Sequence, residues 1–290
     1  MAAAGEVAGE SSGTKMKRLK VAVIHPDLGI GGAERLIVDA ACQLAAHGHD
    51  VHVFTSHHDK NRCFEETVSG LADLILVNSK FTSATFARTF RGLHARGIEP
   101  GVLYPAVSVE QFHEPHAYKL NFLSINRFER KKNLDLAISA FALLRSVAST
   151  LPGNALQEAT LTVAGGYDQR LRENVEYLEE LKRLAVAEGV IGQDEHFGIV
   201  PLEAMAAHKP VIACNSGGPV ETVVNEVTGF LCDPSPTEFS KAMLKLVNDP
   251  DLAVIMGKQA RDHVVQKFST KTFGDLLNSY VLNVYHQRIE

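Results

Sequence analysis

The chain has 290 residues, of which 45% are hydrophobic and 22% charged, with a formal net charge of −5. This is the composition of a globular protein with enough apolar residues for a sizeable core, and the acidic balance excludes a general nucleic-acid binder. Cys42, Cys63, Cys214 and Cys232 form no C-x-x-C pair, which argues against a disulfide framework or a zinc site, and no run approaches the ~18 apolar residues needed to span a bilayer.

Residues 1–18 read as a disordered tail. Met1–Thr14 is rich in Ala, Gly, Ser and Glu and has neither the basic n-region nor the apolar h-region of a signal peptide. Short β-branched runs then alternate with amphipathic stretches, the pattern of βαβ units and a parallel sheet. Leu19–Ile24 reads as a strand buried on both faces. After a Gly-rich turn, a helix is predicted over 33–47, with Leu36, Ile37, Ala40, Ala41 and Leu44 at helical spacing. Val51–Thr55, Ala72–Val77 and Gly101–Tyr104 read as further strands, and Pro105–Pro115 as an irregular linker. A second series follows: strands at Asn121–Asn126, Thr160–Ala164 and Val211–Cys214, and helices at Leu134–Leu144, Asn174–Ala187, Val200–His208, Pro219–Asn225, Glu238–Val247, Leu252–Phe268 and Thr272–His286. The predicted domains are 19–112 and 118–268, with a C-terminal helix over 269–290. Two complete doubly wound domains of about six βα units each need on the order of 360 residues. Arg62–Leu71 also joins two strand regions without the crossover helix a parallel neighbour requires, so the N-terminal domain reads as shortened.

Three places could carry chemistry. In HPDLGIGGAE, the adjacent Gly31 and Gly32 lie between a strand and a helix, where backbone N–H groups can approach a phosphate; a tight strand-to-helix turn explains them equally. Glu34 breaks the dinucleotide G-x-G-x-x-G pattern. Arg127 and Lys132 follow a strand's carboxyl end and suit a diphosphate, which Arg can grip bidentately; the alternative is a solvated basic loop with Asn133 capping the next helix. In EHFGIVPLE, Glu195 precedes a helix and Glu203 lies in its first turn. Gly198, Ile199 and Val200 would present N–H groups to an anion or a hydroxyl. Here the alternative is two glutamates that only complement the helix dipole. His57-His58-Asp59 supplies too few spaced ligands for a metal and reads as a surface loop; His25 and His196 could face the site or merely pack.

EHFGIVPLEAM resembles the E-x7-E signature of the retaining glycosyltransferase family 4, and GGAE with Arg127…Lys132 resembles that family's diphosphate-binding pattern. More narrowly, HPDLGIGGAERLIVDAA, ADLILVNSKFT, LYPAV, LSINRFERKKNLDLAI, VAGGYDQRLRENVEYLEEL and NSGGPVETV are similar to the mannosyltransferase branch that builds dolichol-linked oligosaccharides. The resemblance runs from about Lys20 to Phe268 and implies a GT-B fold: α/β, two Rossmann-like doubly wound domains facing a cleft. It implies GDP-mannose as donor substrate, no metal and no other cofactor, and transfer of an α-1,3 then an α-1,6 mannose to a lipid-linked Man-GlcNAc2 acceptor. The place would be the cytosolic face of the endoplasmic reticulum, with peripheral membrane association. In these terms Arg127 and Lys132 bind the diphosphate, Glu195 engages the donor mannose as the catalytic residue, Glu203 holds the ribose, and Gly31 and Gly32 close over the phosphates.

Two internal stretches of the family pattern are absent, one after His57-His58-Asp59 and one between Val190 and Glu195. These gaps leave open a non-catalytic shortened form that keeps part of the donor site, and because E-x7-E alone does not select the sugar, a family 4 transferase with another donor is a further reading.

Overall fold

The computed structural model describes residues 18–25, 32–55, 74–148, 158–167, 169–190 and 201–287. The chain forms two compact units, 1–61 and 62–290. In the first, β1 (Lys20–His25) and β2 (Asp50–Thr55) pair in parallel from Lys20↔Asp50 to His25↔Thr55, with α1 (Gly32–Ala46) between them. Gly48 ends this helix at φ +85, a conformation that suits a residue without Cβ, while the His49 N–H reaches back to the Leu44 carbonyl at 3.1 Å. Buried His49 then accepts the Leu19 N–H at Nδ1 (3.3 Å), tying the start of β1 to the turn before β2. The predicted βαβ opening is therefore present.

The second unit begins with β3 (Leu76–Val77) and β4 (Gly101–Val102), again parallel. Both are shorter than the runs expected at 72–77 and 101–104. Between them stand α2 (Lys80–Thr89) and α3 (Arg91–Ala95), neither of which was anticipated. Then come β5 (Asn121–Ile125), α4 (Leu134–Ala148), β6 (Thr160–Ala164), α5 (Arg172–Ala187) and α6 (Pro201–Ala206). They are followed by β7 (Val211–Cys214), α7 (Pro219–Thr222), β8 (Gly229–Cys232), α8 (Pro236–Asn248), α9 (Pro250–Lys267) and α10 (Thr270–Gln287). Proline opens four of these helices, where its missing N–H costs nothing. Ser235 and Asp249 cap α8 and α9 by accepting the Glu238 and Leu252 N–H groups.

Burial follows the helical spacing read from the sequence. Leu134, Ile138, Phe141 and Leu144 on α4 pack against Tyr177, Leu178 and Leu181 on α5 and Phe239, Met243 and Val247 on α8. Leu134 and Leu144 are each only 1% exposed, and side chains so buried contribute about 1.5–3 kcal/mol apiece. A second core joins Val107 and Val109 to Leu202, Met205 and Ala206 of α6 and to Ala260 and Val264 of α9. Pro105–Pro115 is thus irregular, as expected, but not a loose tether: Val107 donates its N–H to the Phe268 carbonyl at 2.9 Å. The domain boundary expected at 112–118 falls inside the second compact unit.

Among the described residues β5 pairs only with β6 and β7 only with β8. Phe122 of β5 and Ile212 of β7 nonetheless lie against the same two clusters of buried side chains. One shared core therefore holds two separate ladders, and Leu123 of β5 stays 56% exposed.

Candidate functional site

The turn after β5 is built by its partner strand. Beyond the ladder, the Asn126 N–H donates to the Ala164 carbonyl and the Phe128 N–H to the Gly166 carbonyl, each at 3.0 Å. A Cβ at Gly165 would collide with the Asn126 carbonyl, so only glycine lets the two strand ends come this close. Phe128 is buried, edge-on to Tyr167, and so Arg127 is turned outward with 72% of its side chain exposed. Arg130–Lys132 form one turn of 3-10 helix, and Asn133 follows in the left-handed conformation at φ 53. The N–H of Leu134, the first residue of α4, donates to the Tyr177 hydroxyl at 2.9 Å, which donates in turn to Asp135 at 2.8 Å. A tyrosine from α5 thus meets the end of α4 where an Asn133 cap was the alternative.

The four cations of this turn are not equivalent. Glu129 lies between Arg127 (3.4 Å) and Lys131 (2.9 Å). The Lys131 hydrogen bond holds its carboxyl below the usual carboxylate range; burial opposes this, and the Lys131, Arg127 and Lys132 charges reinforce it. Arg130 makes two 2.7 Å bonds to Glu180 and stands 5.2 Å over the Tyr177 ring, fastening the turn to α5. A hollow of about 360 Å³ beside it is lined by Arg130, Asn133, Asp135, Tyr177, Glu180 and Leu184, but not by Arg127 or Lys132. Arg127 and Lys132 are exposed.

Glu203 lies half-buried in the first turn of α6, as expected, with Pro201 opening the helix. Leu202, Met205 and Ala206 fix α6 in the second core. At its far end, Arg261 donates to the Ala206 carbonyl (2.7 Å) and the Val109 carbonyl (2.8 Å), a cation where the helix dipole favours one. Gly32 begins α1 in the first compact unit. Gly31, Glu195, His196, Gly198, Ile199 and Val200 lie outside the described residues, as do His57, His58 and Asp59. The structure therefore places Arg127 and Lys132 on one turn and Glu203 on a second element of the same unit.

Glu129, Gly165 and Glu221 escaped the sequence reading as working residues. Glu221, in α7, accepts the Lys80 N–H (2.8 Å), the Phe81 N–H (3.0 Å) and the Tyr104 hydroxyl (2.8 Å). The signal was present in NSGGPVETV, VAGGY and LYPAV, but only as likeness. Among the described residues no group of three His, Cys, Asp or Glu could hold a metal. Cys214 and Cys232, scattered in sequence, are register partners on β7 and β8, and burial pushes both thiols up.

Residues 175–263 match the family described as "Glycosyl transferases group 1". The chain is 33% identical to "Alpha-1,3/1,6-mannosyltransferase ALG2" of Homo sapiens over 401 positions and 32% identical to that of Mus musculus over 400, covering 90% of this chain and 95% of each relative. This chain belongs to the ALG2 alpha-1,3/1,6-mannosyltransferase family. Ninety per cent of 290 residues is 261, so about 140 of the 401 positions shared with the human protein are gaps in this chain. That accords with internal segments being absent. Among solved structures, sucrose-phosphate synthase from Thermosynechococcus elongatus aligns with a TM-score of 0.72 at 16% identity, over 93% of this chain and all of that one. A glycosyltransferase from Rickettsia africae aligns at 0.68 and 14%, over 92% and 99%. These likenesses establish the fold as GT-B, as the sequence led us to expect.

Proposed function

We propose that this chain binds GDP-mannose and transfers mannose, with retention, to a lipid-linked Man-GlcNAc2 acceptor, first α-1,3 and then α-1,6. What carries this reading is its identity to ALG2 mannosyltransferases over 90% of its length; the outward Arg127 and Lys132 supply a diphosphate grip at the end of β5. In this reading residues 118–268 hold the donor and 19–112 form the acceptor side. Arg127 and Lys132 bind the diphosphate. Gly198, Ile199 and Val200 offer backbone N–H groups, Glu203 takes the ribose diol, Glu195 engages the mannose, and Gly31 and Gly32 close over the phosphates. The bond from mannose C1 to the phosphate oxygen breaks as a bond from C1 to the acceptor oxygen forms, and the hydroxyl proton leaves with the departing GDP. No metal is needed, because the two cations neutralise the phosphate charge that develops. The setting is the cytosolic face of the endoplasmic reticulum; no helix among the described residues is long and apolar enough to cross a membrane, which is compatible with peripheral attachment.

The shortfall of about 140 positions favours a second reading, in which the chain binds donor but transfers poorly. The test is calorimetric titration with GDP-mannose and UDP-glucose, followed by an assay with lipid-linked acceptor. Preference for GDP-mannose with product formation supports the first reading, and the same preference with no product supports the second. Binding UDP-glucose equally well would sink the donor assignment in both.

A further inference from the structure

The first four N–H groups of a helix need partners from outside its own ladder. In α2 the three on Lys80, Phe81 and Thr82 find such partners, while the Ser83 N–H opens the ladder on the Ser79 carbonyl at 3.0 Å. The Ser79 hydroxyl takes the Thr82 N–H at 3.0 Å. The other two, on Lys80 and Phe81, go to the two carboxylate oxygens of Glu221, some 140 residues away in sequence. The third bond, from Tyr104, comes from the segment just past β4.

Both sides of this contact lie after the carboxyl ends of parallel strands. Lys80 and Phe81 follow β3 and Tyr104 follows β4, while Glu221 lies in the connection that leaves β7. Such ends are where open α/β sheets bind their ligands. The contact is also continuous with the core under Glu203. Tyr104 lies edge-on to Phe268 (5.6 Å), and Phe268 packs in the cluster that buries Leu202, Met205 and Ala206 of α6. By contrast α2 itself packs mainly on β3, β4 and α3, and its hydrogen bonds to the group 1 segment converge on this one carboxylate.

We propose that Glu221 is a positioning residue for transfer, latching the start of α2 and Tyr104 to the group 1 segment and so holding residues 74–112 in register with α6 and Glu203. The link to transfer rests on the function proposed above; the latch itself does not. Burial alone would push the Glu221 carboxyl up. The Lys80 and Phe81 N–H groups, the Tyr104 hydroxyl and the Lys80 charge together hold it below the usual carboxylate range. Lys80 and Tyr104 are the titratable groups that face it. Nearby, His263 contacts the Thr222 backbone beside it; burial pushes this imidazole down, with the Thr222 contact opposing and the Lys267 charge assisting. Because the folded carboxyl is the stronger acid, the latch is fully closed above the ordinary glutamate range and opens as pH falls through the lowered value.

The experiment is amide hydrogen exchange on the whole chain, wild type and Glu221→Gln, across the acidic range and corrected for intrinsic rates. A glutamine has one acceptor oxygen and places an NH2 against one of the two N–H groups. Exchange at Lys80 and Phe81 should rise about ten- to a hundredfold, with Val211–Cys214 unchanged. In the wild type the same two amides should be released on acidification, and in Glu221→Gln they should no longer respond. Identical protection in both chains, or acceleration spread evenly over β7, overturns the latch. This readout uses neither donor nor acceptor, so its failure is separate from a failure of mannosyl transfer. In the transfer assay, Glu221→Gln should raise the acceptor KM and leave the donor KM alone; an equal rise in both overturns the positioning role.

Discussion

Within the stretch from Arg127 to Lys132, Arg130 and Lys131 already face carboxylates at 2.7 and 2.9 Å, whereas Arg127 stands 3.4 Å from Glu129 with most of its side chain in solvent. A diphosphate competes for the cations that are least committed. Arg127→Ala and Lys132→Ala should each weaken GDP binding by about 1.5–3 kcal/mol, the worth of a charge-assisted hydrogen bond. Arg130→Ala should leave GDP affinity unchanged while loosening the turn from α5. Calorimetry on the three variants separates them, and equal losses in all three would mean that the turn acts as undifferentiated charge. Gly165→Ala tests the backbone beneath. The added methyl meets the Asn126 carbonyl, so a loss of about 1–3 kcal/mol is expected from overpacking, read as a lower denaturation midpoint. That Arg127 and Lys132 follow the end of a strand was legible in the sequence. The division of labour around them was not, because Glu180 lies 50 positions from Arg130, and spacing along the chain does not reveal such a partner.

At the scale of elements, periodicity served well where a helix has one broad apolar face and poorly where it does not. In α4 the helical face of Leu134, Ala137, Ile138, Phe141 and Leu144 is buried except at Ala137, which is half-buried. In α2 the sequence KFTSATFART offers only Phe86 to the core, too little apolar repeat to announce a helix. β8 was missed for a related reason: GFLC is four residues long and opens with Gly229, whose Cβ would strike Val211, so its identity as a strand depends on its neighbour. The α4–α5 junction shows how one hydroxyl can carry such a contact. Tyr177 is 4% exposed and bonded to both Leu134 and Asp135. Tyr177→Phe would leave the Leu134 N–H without that partner and should cost about 1–3 kcal/mol. Burial, with the Asp135 hydrogen bond, pushes the Tyr177 phenol up to about 12, and burial with Glu221 does the same for Tyr104. A folded value above the ordinary phenol range of about 10 means that this stability is complete below that range. It is then lost as pH rises through about 12. Urea titrations between those limits should show falling stability. The decline should be shallower in Tyr177→Phe, and an unchanged slope would remove the phenol from the explanation.

For the molecule as a whole, the proposed function makes two demands, binding a donor and aligning an acceptor, and the chain's segments bear on them unequally. The group 1 match lies wholly within 175–263, in the same unit as Arg127, Lys132 and Glu203. Yet about 140 positions of the human relative have no counterpart anywhere in the chain. The α/β class with parallel strands could be read from alternating strands and helices because each βα unit announces itself locally, and the GT-B arrangement followed from the resemblance of the motifs. The joining of residues 74–112 to the C-terminal half could not, since it depends on Val107 and Val109 meeting α6 and α9 across long stretches of sequence. Retaining transfer depends on leaving-group stabilisation and on an acceptor held in near-attack geometry on the donor's own face. In the function proposed above the cations contribute to the first of these. The second needs walls on both sides of the acceptor, and a misplacement of about 1 Å can already cost on the order of a hundredfold in rate. We therefore expect this chain to transfer mannose from GDP-mannose to lipid-linked Man-GlcNAc2 at least about a hundredfold more slowly than a version lengthened with the corresponding internal segments of the human relative. GDP affinity should differ far less between the two. Rates should be compared at equal folded concentration, with saturating donor, so that unfolding and weak donor binding do not stand in for poor alignment. Equal rates would show that the segments this chain lacks do not align the acceptor, and would move that task onto residues 74–112 and the carboxylate that holds them.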